Sequence, residues 1–266
     1  MARTNAPPCG VPEPVATMLS HLDLEPGMRV LEVVGPGGRP IGAILCEACG
    51  ARSVDTVRVD ENLDRRSARY DRVLVTSPVV AVSYDWLRVL RRGGVVLVPW
   101  WNHFAGAALV RLTVDDERGA GAFLGLLDGL GQPWPPTPSV EDVHGGVLDA
   151  GEPTACDLDV ALWEDTNALF ALGLRLPDVR VTWADEGHRR RGWLFDDSAW
   201  AAVTWDEGDA VWEQYGLRKL WPVVEKAYRW WEANDRPEPH RFGMTVASFG
   251  QFAWLGDRYS GRIWRL

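Results

Sequence analysis

Two short runs concentrate the residues best placed to hold or activate a bound group. The first is the glycine-rich stretch Gly35-Pro36-Gly37-Gly38, which follows an apolar run and precedes a helical pattern. Glycines at such a turn let the backbone approach a ligand closely, where a side chain would clash; they are equally the residues that any tight strand-to-helix turn uses. The second is Trp100-Trp101-Asn102-His103, which follows an apolar strand pattern. It falls at the carboxyl end of the expected sheet, where open α/β folds bind their ligands. His103 could serve as acid or base there, or simply be a solvated loop side chain. A third group, Asp196, Asp197, Asp206, Glu207 and Asp209, could hold a basic peptide or form ordinary polar turns. His188 with Arg189 to Arg191 reads as a charged hairpin turn.

The elements that must position these residues are legible from periodicity. Val15 to Leu24 has helical spacing, and Met28 to Val34 is a nearly continuous apolar run, the pattern of a strand buried on both faces of a parallel sheet. A helix from Ile41 to Cys49 follows, then a strand from Val54 to Val59 ending at Asp60, and a short polar helix from Glu61 to Arg69. Asp71 to Val75 reads as a third strand, Ser83 to Leu90 as a helix, Arg91 to Gly94 as a tight turn and Val95 to Pro99 as a fourth strand. Ala107 to Val114 is another strand, with hairpin chemistry at Asp115, Asp116 and Gly119. This alternation calls for a doubly wound α/β domain with a parallel sheet, placed at residues 1–131.

Gln132 to Ser139 contains four prolines and reads as a stiff linker. Beyond it the pattern becomes strand-rich: Val179 to Trp183, Arg191 to Phe195 and Ala199 to Thr204 alternate as an antiparallel meander. Leu217 to Glu232 is an amphipathic helix, and Arg241 to Val246 with Gln251 to Leu255 forms a closing hairpin. Residues 140–266 are therefore expected to make a smaller, Trp-rich α+β domain. The chain holds 15 tryptophans, most of them in this half; that enrichment implies a tightly packed small domain or an aromatic binding surface.

The formal net charge of −9 argues against nucleic acid or anionic membrane as partner, since both present phosphates. No apolar run approaches the ~20 residues a spanning helix requires, and Met1 to Pro14 lacks the apolar run of a signal peptide. A cytoplasmic location with reduced thiols is the expectation. Cys46 and Cys49 form a lone C-x-x-C inside a helical pattern, read as structural and not as a metal site.

Three segments carry a resemblance: VATMLSHLDLEPGMRVLEV (Val15 to Val33), YDRVLVTSPVVAVSYDWLRVLRRGGVVLVPW (Tyr70 to Trp100) and YGLRKLWPVVEKAYRWWEANDRPEPHRFGMTV (Tyr215 to Val246). Together they resemble the protein-L-isoaspartate O-methyltransferase family, in its actinobacterial branch that accompanies ribosomally made peptides, including ATP-grasp and FxLD-type maturation systems. The resemblance implies a Rossmann-like methyltransferase fold, S-adenosylmethionine as cofactor, and methylation of aspartyl or isoaspartyl carboxylates of a precursor peptide. It places Glu32 and Gly38 at the cofactor, with Gly35 and Gly37 as a shifted loop, Asp60 as a substitute acceptor and Ser77 as a stand-in at the reacting group; the place of Trp100, Trp101 and Asn102 at the carboxyl end of the sheet makes them candidate substrate contacts, with His103 a candidate acid or base beside them. A precursor peptide or a maturation enzyme would be the partner, and the oligomeric state is left open.

The sequence also departs from that family. Its E-x-G-x-G-x-G pattern aligns with Glu32 to Gly38, where Val34 and Pro36 replace two glycines; Pro36 adds bulk and removes a backbone donor. Arg58 stands where the family has the acidic acceptor for the ribose hydroxyls, a loss worth roughly 1.5–3 kcal/mol. Only nine residues separate Asp60 from Tyr70, too few for the family's additional helix and strand on the adenine side. Cys9 to Pro14 lacks the family's hydroxyl, leaving Ser77 as the stand-in. These departures imply a cofactor site weakened or lost, and a function repurposed on a peptide. The alternatives are an active S-adenosylmethionine-dependent peptide O-methyltransferase and a non-catalytic peptide- or partner-binding module.

Overall fold

The computed structural model describes residues 12–63, 69–115, 118–186, 189–206, 209–259 and 262–266. The chain begins with α1 (Glu13–Ser20), β1 (Arg29–Val34), α2 (Gly42–Cys49), β2 (Ser53–Arg58), β3 (Tyr70–Val75), α3 (Tyr84–Arg88), β4 (Leu90–Asn102), β5 (Gly106–Val114) and β6 (Arg118–Leu126). It continues through α4 (Val140–His144), β7 (Glu152–Pro153), α5 (Thr166–Arg175), β8 (Arg180–Glu186), β9 (Arg189–Phe195), β10 (Trp200–Asp206), β11 (Asp209–Tyr215) and α6 (Leu220–Ala233). It closes with β12 (Phe242–Ala247), β13 (Gly250–Leu255) and β14 (Ile263–Arg265).

Two compact units result. The first comprises Met1–Trp101, Gly106–Pro136 and Pro239–Leu266, and the second Asn102–Ala105 and Thr137–Glu238. The nine-stranded sheet of the first unit has the order β14-β13-β12-β6-β5-β4-β3-β1-β2. β1 pairs in parallel with both β2 and β3, and β3 with β4, so the winding reverses between β1 and β3. This is the doubly wound plan expected from the apolar runs. β1 and β3 are buried along almost their whole length, because helices cover both faces of a parallel sheet. α1, the turn after it and α2 bury Met18, Leu22 and Leu45 against Val30, Leu74 and Leu97. Arg72 on β3 ties the chain after α1 to the sheet, its Nε donating to the Leu22 carbonyl at 2.7 Å and Nη2 to that of Asp23 at 2.9 Å.

The closing hairpin belongs elsewhere than the sequence placed it. β12 pairs antiparallel with β6, Gly243 opposite Ala122, so residues 239–266 extend the first sheet instead of completing the second domain. Arg91 to Gly94 is not a turn before a strand but an irregularity inside β4, where the register jumps from Tyr70 opposite Leu90 to Arg72 opposite Val95; Gly93 takes a positive φ of 76° there. Glu61 to Leu63 are not helical. Residues 64–68 of that expected helix, Asp116, His188 and Glu207 lie outside the described residues. None of the described helices is long and apolar enough to cross a membrane.

The second unit is built on an antiparallel sheet, β7-β11-β10-β9-β8. One face packs Trp193, Phe195, Trp200 and Ala202 against Val140. The tryptophan-rich sequence thus makes a small α+β unit with aromatic rings on its sheet. α5 is buried from Ala168 to Leu174, and α6 buries one stripe, Leu220, Trp221, Val224, Ala227 and Trp231, as its helical spacing requires.

Candidate functional site

The reversal between β1 and β3 creates the crevice in which doubly wound folds bind ligands. Gly35 to Gly38 leave the end of β1, and Thr76 and Ser77 leave the end of β3. Between them lies a cavity of about 500 Å³, bounded by Gly37, Gly38, Thr76, Ser77, Gln132 and Trp134 together with proline rings. None of the described side chains lining it is charged.

Internal contacts account for each glycine of the turn. The Gly35 N–H donates to Ser77 Oγ at 2.9 Å, and a Cβ on residue 35 would stand 2.4 Å from that oxygen. A Cβ on Gly38 would stand 2.7 Å from Cγ1 of Val34, the residue that replaces the first glycine of the family pattern. Gly37 has φ of 73°, which glycine adopts without strain. Ser77 is thus drawn to Gly35, while no acceptor among the described residues takes its proton.

Gln132 to Pro136, expected to be a linker, instead lies along the segment after β3. The Trp134 N–H donates to the Pro78 carbonyl at 2.8 Å and the Val80 N–H to the Trp134 carbonyl at 3.3 Å. Val79 bridges Trp134 on one side and Trp100 on the other. Proline-rich sequence reads as a spacer because it lacks donors; here the donors of its neighbours, and Trp134 itself, supply the pairing.

Glu32 does not reach the cavity. It is fully buried, with Oε1 accepting from the Ile41 N–H at 2.7 Å and Oε2 from Thr56 Oγ1 at 3.1 Å. Burial pushes its carboxyl above the usual range, opposed by hydrogen bonds from Ile41, Thr56 and the Gly42 N–H. α2 has no side-chain cap from its own N-cap residue, Ile41; Glu32 supplies the acceptor from the neighbouring strand. Asp60 is exposed in the turn after β2 and is not part of the cavity lining. β2 is the sheet edge, and residues 59–63 and 69 contain no strand. Among the described residues lining the cavity, no acidic side chain stands ready for the ribose of S-adenosylmethionine and no charged group for its ammonium or carboxylate.

Of the expected substrate residues, Trp100 and Asn102 are committed within the fold. Trp100 is 4% exposed, donates from Nε1 to the Val80 carbonyl at 3.1 Å and packs on Phe123 with ring centroids 5.7 Å apart. Trp101 is half-buried and its N–H donates to the Val79 carbonyl. Asn102 is fully buried: Nδ2 donates to the Phe170 carbonyl at 2.8 Å, and Oδ1 accepts from the N–H groups of Phe104 and Ala105. With no exposed surface, it offers a ligand no contact. His103 is half-buried in the second unit; burial, with the Arg180 charge adding, pushes its imidazole down to about 4, so it is neutral at pH 7. It is not part of the lining of the cavity that Ser77 borders. In the acidic group, Asp196 caps its own turn through the Ser198 and Ala199 N–H groups and pairs with Arg218, while Asp197 pairs with Arg180. Those charges are already matched within the fold. Cys46 is exposed.

No protein-family model matches the chain, and no curated protein matches it in sequence. Among solved structures it is similar to a protein-L-isoaspartate O-methyltransferase at 17% identity and a TM-score of 0.42, over 91% of this chain and 80% of that one. It is also similar to a Plasmodium falciparum protein-L-isoaspartate O-methyltransferase in complex with S-adenosyl-L-homocysteine, at 12% identity and a TM-score of 0.29, over 41% of this chain and 70% of that one. Scores this low say nothing of chemistry; the doubly wound core stands on its own strand order and parallel pairing.

Proposed function

We propose that the protein is an isoaspartate-methyltransferase-like protein that acts on a ribosomally synthesised peptide, with S-adenosylmethionine-dependent methyl transfer lost or repurposed. The observation that supports this most is the use the first unit makes of its would-be cofactor residues. Glu32 caps α2, and Gly35 and Ser77 bind one another. What remains is a crevice whose described lining is uncharged, with the Thr76 and Ser77 hydroxyls, the Gln132 amide and the flat Trp134 ring. Such a lining favours an uncharged, partly apolar group, as a peptide turn near an aspartyl residue presents, over a cofactor with two charged ends.

Two measurements on the purified full chain test the reading. Calorimetry with S-adenosylmethionine should show no binding at high micromolar concentration. Mass spectrometry of an aspartate-containing ribosomal precursor peptide should show either no change on incubation or a change other than an added methyl group. Saturable cofactor binding with a methylated peptide would establish the working O-methyltransferase instead, since methyl transfer needs mainly proximity and alignment.

A further inference from the structure

A sheet edge offers unpaired backbone groups to another chain, and β14 is one edge of the nine-stranded sheet. Its ladder to β13 uses alternate residues. The Arg262 carbonyl accepts from the Leu255 N–H at 3.2 Å, and the Leu266 N–H donates to the Gln251 carbonyl at 2.9 Å. In an antiparallel pair the residues between such bonds turn their N–H and C=O groups the other way. Ile263 and Arg265 therefore present theirs to the open side.

The charge of this edge is opposite to that of the chain. Residues 239–266 hold four arginines, Arg241, Arg258, Arg262 and Arg265, against one acid, Asp257, in a chain of formal net charge −9. Arg241, Arg262 and Arg265 are exposed and form no ion pair with a described residue. Rings accompany them: Phe252 lies opposite Arg265, and Trp254 opposite Ile263. Phe249, 72% exposed, stands with its ring centroid 5.6 Å from that of Phe252. After β13, the Arg258 guanidinium lies 4.8 Å from the ring centre of Tyr259, which is also 72% exposed. A short arginine-bearing edge alone reads as protection against self-association. Protection does not call for Phe249, Tyr259 and Ile263 in water beside it; exposed apolar groups gathered in one place mark interaction surfaces.

We propose that β14 takes an extended acidic peptide segment of another molecule as an added strand. Its backbone pairs with Ile263 and Arg265, its carboxylates meet Arg262 and Arg265, and its apolar side chains lie beside Ile263 and the neighbouring rings. A second copy joined through the same edge would set arginines against arginines, which like charge disfavours. A nucleic acid would meet the arginines and rings but leave the open backbone groups unpaired, and the net charge of the chain repels it. The site belongs to the sheet edge, so it stands or falls independently of the crevice after β1.

The test is fluorescence polarisation on the full chain with three labelled octapeptides: alternating Val-Glu, alternating Val-Lys, and a fully N-methylated Val-Glu that keeps the carboxylates and deletes the N–H groups. The Val-Glu peptide should bind saturably and more weakly as salt rises; the other two should bind at least about tenfold more weakly. The double variant Arg262→Glu, Arg265→Glu should lose about tenfold in affinity for Val-Glu. In the wild-type complex the Ile263 and Arg265 amides should exchange with deuterated water more slowly than in the free chain. No binding of Val-Glu, equal binding of its N-methylated form, equal binding of an oligothymidylate of eight nucleotides, or a dimer in sedimentation that the double variant abolishes would each overturn the proposal. Unchanged exchange at those two amides would overturn it as well, and that measurement on the wild-type chain decides the matter even where the variant fails to fold.

Discussion

The end of β1 with its glycine-rich turn and the tryptophan cluster of the second unit both set polar groups among apolar neighbours, yet they treat their polar atoms in opposite ways. In the first, Glu32 and the Gly35 N–H find partners inside the protein. In the second, the Trp163 and Trp205 indole donors find none among the described residues. A motif shows which polar residues are present, but only the count of satisfied donors and acceptors shows which are free to bind something. By that count the polar groups of the glycine-rich turn are committed to the fold.

The sharpest way to break this contrast is at Glu32. Glu32→Ala should cost roughly 2–4 kcal/mol, since the α2 N–H groups and Thr56 lose a buried acceptor and a void remains; the urea midpoint should fall without a change in slope. A loss below about 1 kcal/mol would mean that the carboxylate is not committed to the helix. Gly35→Ala should cost about 1–3 kcal/mol through the clash with Ser77, and adding Ser77→Gly should recover most of it. Purely additive effects in that double-mutant cycle would show that the two residues do not meet.

For the second unit, His103 gives a pH test. The unfolded chain takes up a proton near 6.5, which the folded chain resists until about 4. Its contribution to stability is therefore present above pH 6.5 and lost as pH falls from there towards 4, with a slope of up to about 1.4 kcal/mol per pH unit. His103→Gln should flatten that part of the stability–pH curve; an unchanged curve would place the imidazole in water. The smallest effect belongs to Trp163→Phe, expected within about 1 kcal/mol of wild type in thermal unfolding because the deleted donor has no partner to lose. A loss near 3 kcal/mol would mean that the indole N–H is already paired.

The sequence alone determined the two kinds of sheet. Continuous apolar runs such as Met28 to Val34 specify strands buried on both faces, and alternating runs such as Ala199 to Thr204 specify a meander, because burial periodicity is a local property. It also carried the departures at Val34, Pro36 and Arg58, which depend only on residue type. Tertiary structure decided which strand the hairpin at 242–255 joins, since period two says that a strand is half-buried and not what it pairs with. It decided that Ser77 meets Gly35, 42 residues earlier in the chain, and that Gln132 to Pro136 packs as a wall where the composition reads as a tether. It decided, too, which tryptophans spend their N–H groups. Hydrogen-bond satisfaction depends on distances of a few ångströms between residues far apart in sequence, and no spacing along the chain encodes it.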